Sequence, residues 1–218
     1  MNVKTDARQL ILLAAERLFA QRDVHSVSLR EIGAAAGQRN NSAVQYHFGT
    51  KDDLVRALYV HRLAPLNKSR VRLVEQLREE GRTDLRALVV AFLQPLADAV
   101  CEAAGTNCYA RFVHRYVLSG DTPDKPLPDN NLTGLRVVME MLEPHLRGLM
   151  PAARVSRLRG LHILVTGMLA DLERRFELGE VTNADARTEI DNITDMAVGL
   201  LSAPVREPAT DDEGDGPV

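Results

Sequence analysis

The sequence predicts an all-α fold: three short helices at the N-terminus, then a larger helical region, roughly nine helices in all. Two observations carry this. Apolar residues recur at helical spacing through most of the chain. Strand signals are scarce, because β-branched residues sit inside helical patterns and no hairpin dipeptide joins two alternating runs. At 218 residues and 45% apolar composition the chain can bury a core without staples.

The first helix is expected from about Asp6 to Ala20, with Leu10, Ile11, Ala14, Ala15, Leu18 and Phe19 on its apolar stripe and Thr5 or Asp6 as cap. Ser28-Leu29-Arg30-Glu31 is a capping box that opens a short helix to Ala36, stopped by Gly37. Asn40 or Asn41 caps a third helix, about Ser42 to Phe48. Its Val44 and Phe48 face inward, and Gly49 ends it. Thr50 caps a fourth, with Asp52 and Asp53 on its positive end, running to about Glu80 past Pro65. Gly81 breaks the pattern, and Thr83 caps a helix reaching about Ala104 past Pro95. Helices over 107–118 and 133–149 flank a loop at 119–131, the second containing Pro144. Pro151 starts a long helix to about Leu178, and the last helix spans 183–203. Residues 204–218 are Pro, Gly and acid, a composition expected to stay disordered.

Several classes drop out. No apolar run is long enough to span a bilayer. The opening MNVKTDARQL lacks a signal peptide's apolar stretch and cleavage site. Cys101 and Cys108 cannot frame a disulfide-rich fold or a zinc site, which fits small buried thiols in a reducing cytoplasm. Charge is unevenly spread: residues 1–62 carry +3, residues 63–203 carry −2 and the last fifteen carry −4. A basic front end on an acidic chain fits a polyanionic partner.

The front end also has the layout to meet one. A helix, a Gly-containing turn and a second helix form the frame of a DNA-reading helix-turn-helix, with Leu29–Ala36 as support and Ser42–Phe48 as reader. Asn41, Ser42 and Gln45 lie on the reader's outer face, and amides of this kind pair bidentately with adenine edges. Tyr46, His47 and Lys51 are placed to meet phosphates. Ser28, Arg39 and Asn40 border the same face and complete the candidate set.

These residues resemble a known family. Asn41-Ser-Ala-Val-Gln-Tyr-His-Phe-Gly-Thr-Lys-Asp-Asp-Leu54 looks like the signature of the TetR family of bacterial transcriptional regulators. Ser28-Leu-Arg-Glu-Ile-Gly-Ala-Ala-Ala-Gly37 and the opening helix with Ala-Glu-Arg-Leu-Phe19 are similar too. The likeness covers about residues 5–62, and beyond them it is one of layout only. Gln45 stands where the family often has a bulky or aromatic residue, and Asn41-Ser42 where it often has Lys-Gly or Arg-Gly. Both departures imply a distinct operator preference.

The resemblance implies that 1–62 bind DNA, while 63–203 bind a small effector and pair two copies of the chain. Pro65, Pro95 and Pro144, inside predicted helices, either kink them and leave space or mark boundaries between shorter helices. Candidate pocket residues are Phe92, Tyr109, Phe112, Tyr116 and Met139, though such stripes are more often plain core. With few aromatics and Leu/Val/Met-rich helices, an apolar effector is expected. The wide apolar arc of the helix around 161–172 offers a homodimer contact through Gly160, Leu164, Gly167 and Met168. The last helix adds Ile193, Met196 and Leu200. His114, His145 and His162 read as solvated or satisfied; Arg111 and Arg115 could meet an acidic effector, but solvated surface is the commoner reading.

The leading expectation is a ligand-responsive repressor that binds a near-palindromic double-stranded DNA operator as a homodimer, with no cofactor, metal or membrane involved. The alternative is a helical ligand-binding or interaction protein with a non-functional DNA-binding domain. No phosphate loop, zinc-protease helix or nucleophile elbow is present to support an enzyme.

Overall fold

The computed structural model describes residues 6–40, 42–119 and 129–204. They form α1 (Ala7–Gln21), α2 (Leu29–Ala35), α3 (Ala43–Phe48), α4 (Lys51–Glu79), α5 (Leu85–Ala103), α6 (Tyr109–Ser119), α7 (Asp129–Leu142), α8 (Pro151–Glu177) and α9 (Asn183–Ser202), with 3-10 turns at Val24–Ser26 and Glu143–Leu146. No strand occurs among the described residues. Asn41 and the tail beyond Pro204 lie outside them, as do residues 120–128 of the predicted loop; Ser119 and Asp129–Asn131 of that loop are helical.

Local chemistry sets the boundaries. Asp6 caps α1 by accepting from the Arg8 N–H. The capping box at Ser28 forms: its hydroxyl accepts from the Glu31 N–H, and Glu31 accepts from the Ser28 N–H. Gly37 and Gly49 follow α2 and α3 at φ of 67° and 80°, a region only glycine enters freely. Thr50 caps α4. Asp84, not Thr83, caps α5; the Thr83 carbonyl instead meets His145 Nε2 at 2.8 Å. A second capping box, Thr182 with Asp185, opens α9.

The three prolines divide. Pro65 and Pro95 sit inside continuous helices, whereas Pro144 ends α7 at Leu142 and starts a 3-10 turn. The extended helix predicted over 133–149 therefore stops seven residues early, because proline has no N–H to continue it.

One continuous core joins the N-terminal block to the rest. Phe19 and Ile11 of α1, Ile32 of α2, Val44 of α3 and Leu54 and Leu58 of α4 are all but fully buried, as are Leu88 and Leu93 of α5, Phe112 of α6 and Leu161 of α8. α6 packs on α1 more extensively than α4 does. Two buried carboxylates hold the start of α6, one to α1 and one to α8. Glu16 of α1 accepts from the Cys108 N–H at 3.0 Å and from Arg62 Nε at 2.7 Å. Glu173 of α8 accepts from the N–H groups of Ala110 and Arg111. Both thus occupy the positive end of α6. Arg115 adds a bond to the Ala20 carbonyl at 2.9 Å. α4 and α7 approach closely at Gly134, where a Cβ would collide with the Asn67 backbone.

Candidate nucleic-acid interface and interior cavity

The reader helix α3 is six residues long and anchored by one face. Val44 is buried at 1% exposure, and Arg8 lies 4.9 Å from the centre of the half-buried Phe48 ring. The opposite face is open: Ser42 and Gln45 are exposed, and Tyr46 is 85% exposed, a large aromatic side chain with almost no cover. Its ring meets His47 edge-on at 5.2 Å. Arg39 and Asn40 are exposed beside them. Asn40 Oδ1 accepts from the Ser42 N–H at 2.9 Å, so it orders the entry to the helix.

Two further candidates also have structural partners. The Ser28 hydroxyl serves its capping box. Lys51 Nζ donates to the carbonyls of Val24 and His25 at 3.2 and 3.1 Å, tying the start of α4 to the turn before α2. Arg22 pairs with Glu31 at 2.8 Å. Hydrogen bonds from Ser28 and Arg22 hold the Glu31 carboxyl down at about 2.

The larger region holds a partly open cavity of about 40 Å³ between α4, α5, α6, α7 and α8, lined by Tyr59, Arg70, Phe92, Tyr109, Val113 and His162 among others. Of the five predicted pocket residues, Phe92 and Tyr109 line it. Phe112 is fully buried behind Tyr109, with ring centres 6.3 Å apart. Tyr116 meets Tyr59 in a tilted ring contact at 5.3 Å and Met139 packs against the core, and neither is among the lining residues. The sequence reading missed Arg70, Tyr59 and Thr166, since nothing in a helical stripe marks which polar residue turns inward. His162 is not solvated: its ring stands edge-on to Phe92 at 4.8 Å, and Nδ1–H donates to the Leu158 carbonyl at 3.0 Å.

Other expectations need correction. Arg111 is not solvated surface; it pairs with Glu173 at 3.2 Å and Glu177 at 2.7 Å. Burial pushes the neighbouring Cys108 thiol up to about 11, so it is an inert buried group. Among the suggested dimer contacts, Ile193 is fully buried inside its own chain. Gly167 faces His114 of α6, whose Cε1 would lie 2.9 Å from an added Cβ, and Gly160 faces Leu200 of α9. These glycines let helices of the same chain approach. Leu164, Met168 and Leu200 are half-buried, and Met196 is 42% exposed.

An exposed, singly anchored helix behind a capped support helix, set on a helical body with an interior cavity, defines a DNA-binding regulator of the helix-turn-helix class. Residues 11–58 match the family model for bacterial regulatory proteins of the tetR family. Among solved structures, a putative TetR family transcription regulator from Shewanella sp. PV-4 is similar at 17% identity, over 88% of this chain and 97% of that one, with a TM-score of 0.54. A structure on the molecular basis for control of antibiotic production by bacterial hormones is similar at 22% identity, over 90% and 98%, TM-score 0.47. NalD, the secondary repressor of the MexAB-OprM multidrug efflux pump in Pseudomonas aeruginosa, is similar at 23% identity, over 87% and 95%, TM-score 0.46. No curated protein matches the sequence. Residues 11–58 thus carry the helix-turn-helix of the tetR family of bacterial regulatory proteins, and the chain as a whole shares the fold of the Shewanella regulator. Among the described residues, no helix is long and apolar enough to cross a membrane.

Proposed function

We propose that the chain is a ligand-responsive repressor that binds a near-palindromic operator as a homodimer and leaves it when the cavity is filled. The observation that carries this is the uncovered face of α3, with Gln45 and Tyr46 presented outward by the buried Val44. Gln45, Ser42 and Asn41 read base edges. Tyr46, His47, Arg39 and Asn40 border phosphates, and Ser28 lies at the edge of the contact. Lys51 uses two donors on carbonyls and keeps a third for a phosphate. Residues 1–62 form the reading unit and 63–203 the effector and dimer unit; the boundary falls inside α4, which crosses it without a break.

The dimer forms across α8 and α9 through Leu164, Met168, Met196 and Leu200, four of the apolar residues there that stay partly uncovered. Two routes connect cavity to reader. α4 begins at Thr50 beside α3 and carries Tyr59 and Arg70 into the cavity wall. α6 carries Tyr109 and Val113 there, and its start is held by Glu16 of α1. A cavity of about 40 Å³ has room for roughly one water, so an effector must part these helices to enter. Parting them moves the two readers of a dimer relative to each other, and such coupling is typically about 1–3 kcal/mol.

The test is a gel shift with the DNA upstream of the protein's own reading frame. Gln45→Ala lowers discrimination at one base pair by about 1–3 kcal/mol, while Lys51→Ala weakens all sequences alike and flattens the salt dependence. A Lys51→Ala variant with altered sequence preference, beside a Gln45→Ala variant without, overturns the assignment.

A further inference from the structure

The cavity wall holds a charge that no described residue balances. Arg70 of α4 is 5% exposed. Its Nε donates to the Phe92 carbonyl at 3.1 Å, and Nη1 donates to Asn67 Oδ1 at 2.9 Å. Its guanidinium lies 5.6 Å from the centre of the Phe92 ring. These partners are neutral. Among the described residues no carboxylate forms an ion pair with Arg70; the ionisable groups acting on it are the hydroxyls of Tyr109 and Tyr59. The other buried charges among the described residues behave differently: Glu16 has Arg62, and Glu173 has Arg111. A buried cation left unpaired is costly, and proteins rarely keep one without a counter-charge.

The remaining lining fixes the charge of the missing partner. Leu63, Leu66, Leu96, Val117, Leu135 and Val165 supply an apolar wall. Burial keeps His162 neutral and the hydroxyls of Tyr59 and Tyr109 protonated, so the wall carries one positive charge. A singly charged anion neutralises it, and a dianion would overshoot. On the α7 side of Asn67, which bonds directly to Arg70, a groove of about 620 Å³ between α4 and α7 is lined by Lys68 and Arg72, with no acid among its described lining residues.

We propose that the cavity is built for a monoanionic organic acid, whose carboxylate pairs with the Arg70 guanidinium and whose apolar body lies against the Leu and Val wall. This replaces the wholly apolar effector expected from composition. It rests on the reading of this region as the effector site. Arginine suits the task because its planar fork meets a carboxylate bidentately while keeping its bond to the Phe92 carbonyl.

The experiment uses the full chain and matched probes: hexanoate, octanoate and phenylbutyrate, each against its primary amide and its amine of equal length, by calorimetric titration and thermal shift. At least one acid is expected to bind with about tenfold or greater preference over its amide, and the amines not at all. Arg70→Met is expected to lose at least tenfold in acid affinity while binding the amide as well as before. Its unliganded melting temperature stays level or rises, because an unpaired buried charge is gone. Arg70→Lys, which keeps the charge and loses the fork, falls between, and it serves if Arg70→Met does not fold. Amides binding as tightly as acids, or no acid binding at millimolar concentration, overturns the proposal. A parallel gel shift separates the two readings. Operator binding without acid preference sinks the anion site alone, and acid preference in a chain that binds no DNA sinks the regulator alone.

Discussion

Replacing Glu16 by Ala tests how the reading helices are fastened to the body. The carboxylate is 1% exposed and accepts from Arg62 Nε at 2.7 Å, Arg62 Nη2 at 3.0 Å and the Cys108 N–H at 3.0 Å. Removing one partner of a fully buried ion pair costs about 3–5 kcal/mol. The Arg62 side chain is 24% exposed and recovers part of its hydration, which lowers that cost. The Cys108 N–H at the start of α6 is buried and is left without its acceptor, which costs about 1–3 kcal/mol. The net loss is about 2–4 kcal/mol, or roughly 5–15 °C in melting temperature for a chain of this size. The assay is a circular-dichroism melt of Glu16→Ala beside Arg22→Ala. The latter breaks a pair whose side chains are each 45% exposed, and is expected to cost less than about 1 kcal/mol. Equal losses from the two variants, or a Glu16→Ala loss under about 0.5 kcal/mol, refute the fastening role.

Gly134→Ala places a methyl against the Asn67 backbone and is expected to cost about 1–3 kcal/mol or more by forcing α4 and α7 apart, read from the denaturant midpoint. Met196→Glu is expected to leave the melting temperature of the monomer fold unchanged while shifting sedimentation from dimer to monomer; an intact dimer removes this residue from the interface. Glu31 is held at about 2 against an ordinary value of 4.5, so its contribution to α2 is complete above that ordinary value and fades as pH falls towards about 2. The melting-temperature gap between wild type and Glu31→Gln therefore stays constant from neutrality to about pH 5 and closes below it.

Local chemistry made the front end readable. A capping box, two glycines at forced conformations and a four-residue apolar spacing fix α2, α3 and the start of α4 without help from the rest of the chain. The same spacing that buries Val44 puts Gln45 and Tyr46 outside, so the reader's face followed from its anchor. The body was less legible because its helices are apolar on several sides. Periodicity cannot tell the face of Ile193 that packs inside its own chain from the face of Met196 that stays open. It also could not separate the prolines: Pro65 and Pro95 are tolerated inside helices held on both sides by packing, and Pro144 ends one. Arg70 lies on an ordinary polar stretch of α4, and only the crossing of α4, α5 and α6 turns it into the charged wall of a cavity.

Selection of bound fragments from a random double-stranded DNA library, using the full-length chain, tests DNA reading and pairing together. The enriched sequences are expected to show an inverted repeat whose half-site centres lie about 34–36 Å apart or a multiple of it. Gln45→Ala is expected to relax one position in each half. A pool with no enriched motif, or a single half-site without its mirror, contradicts a dimeric reader.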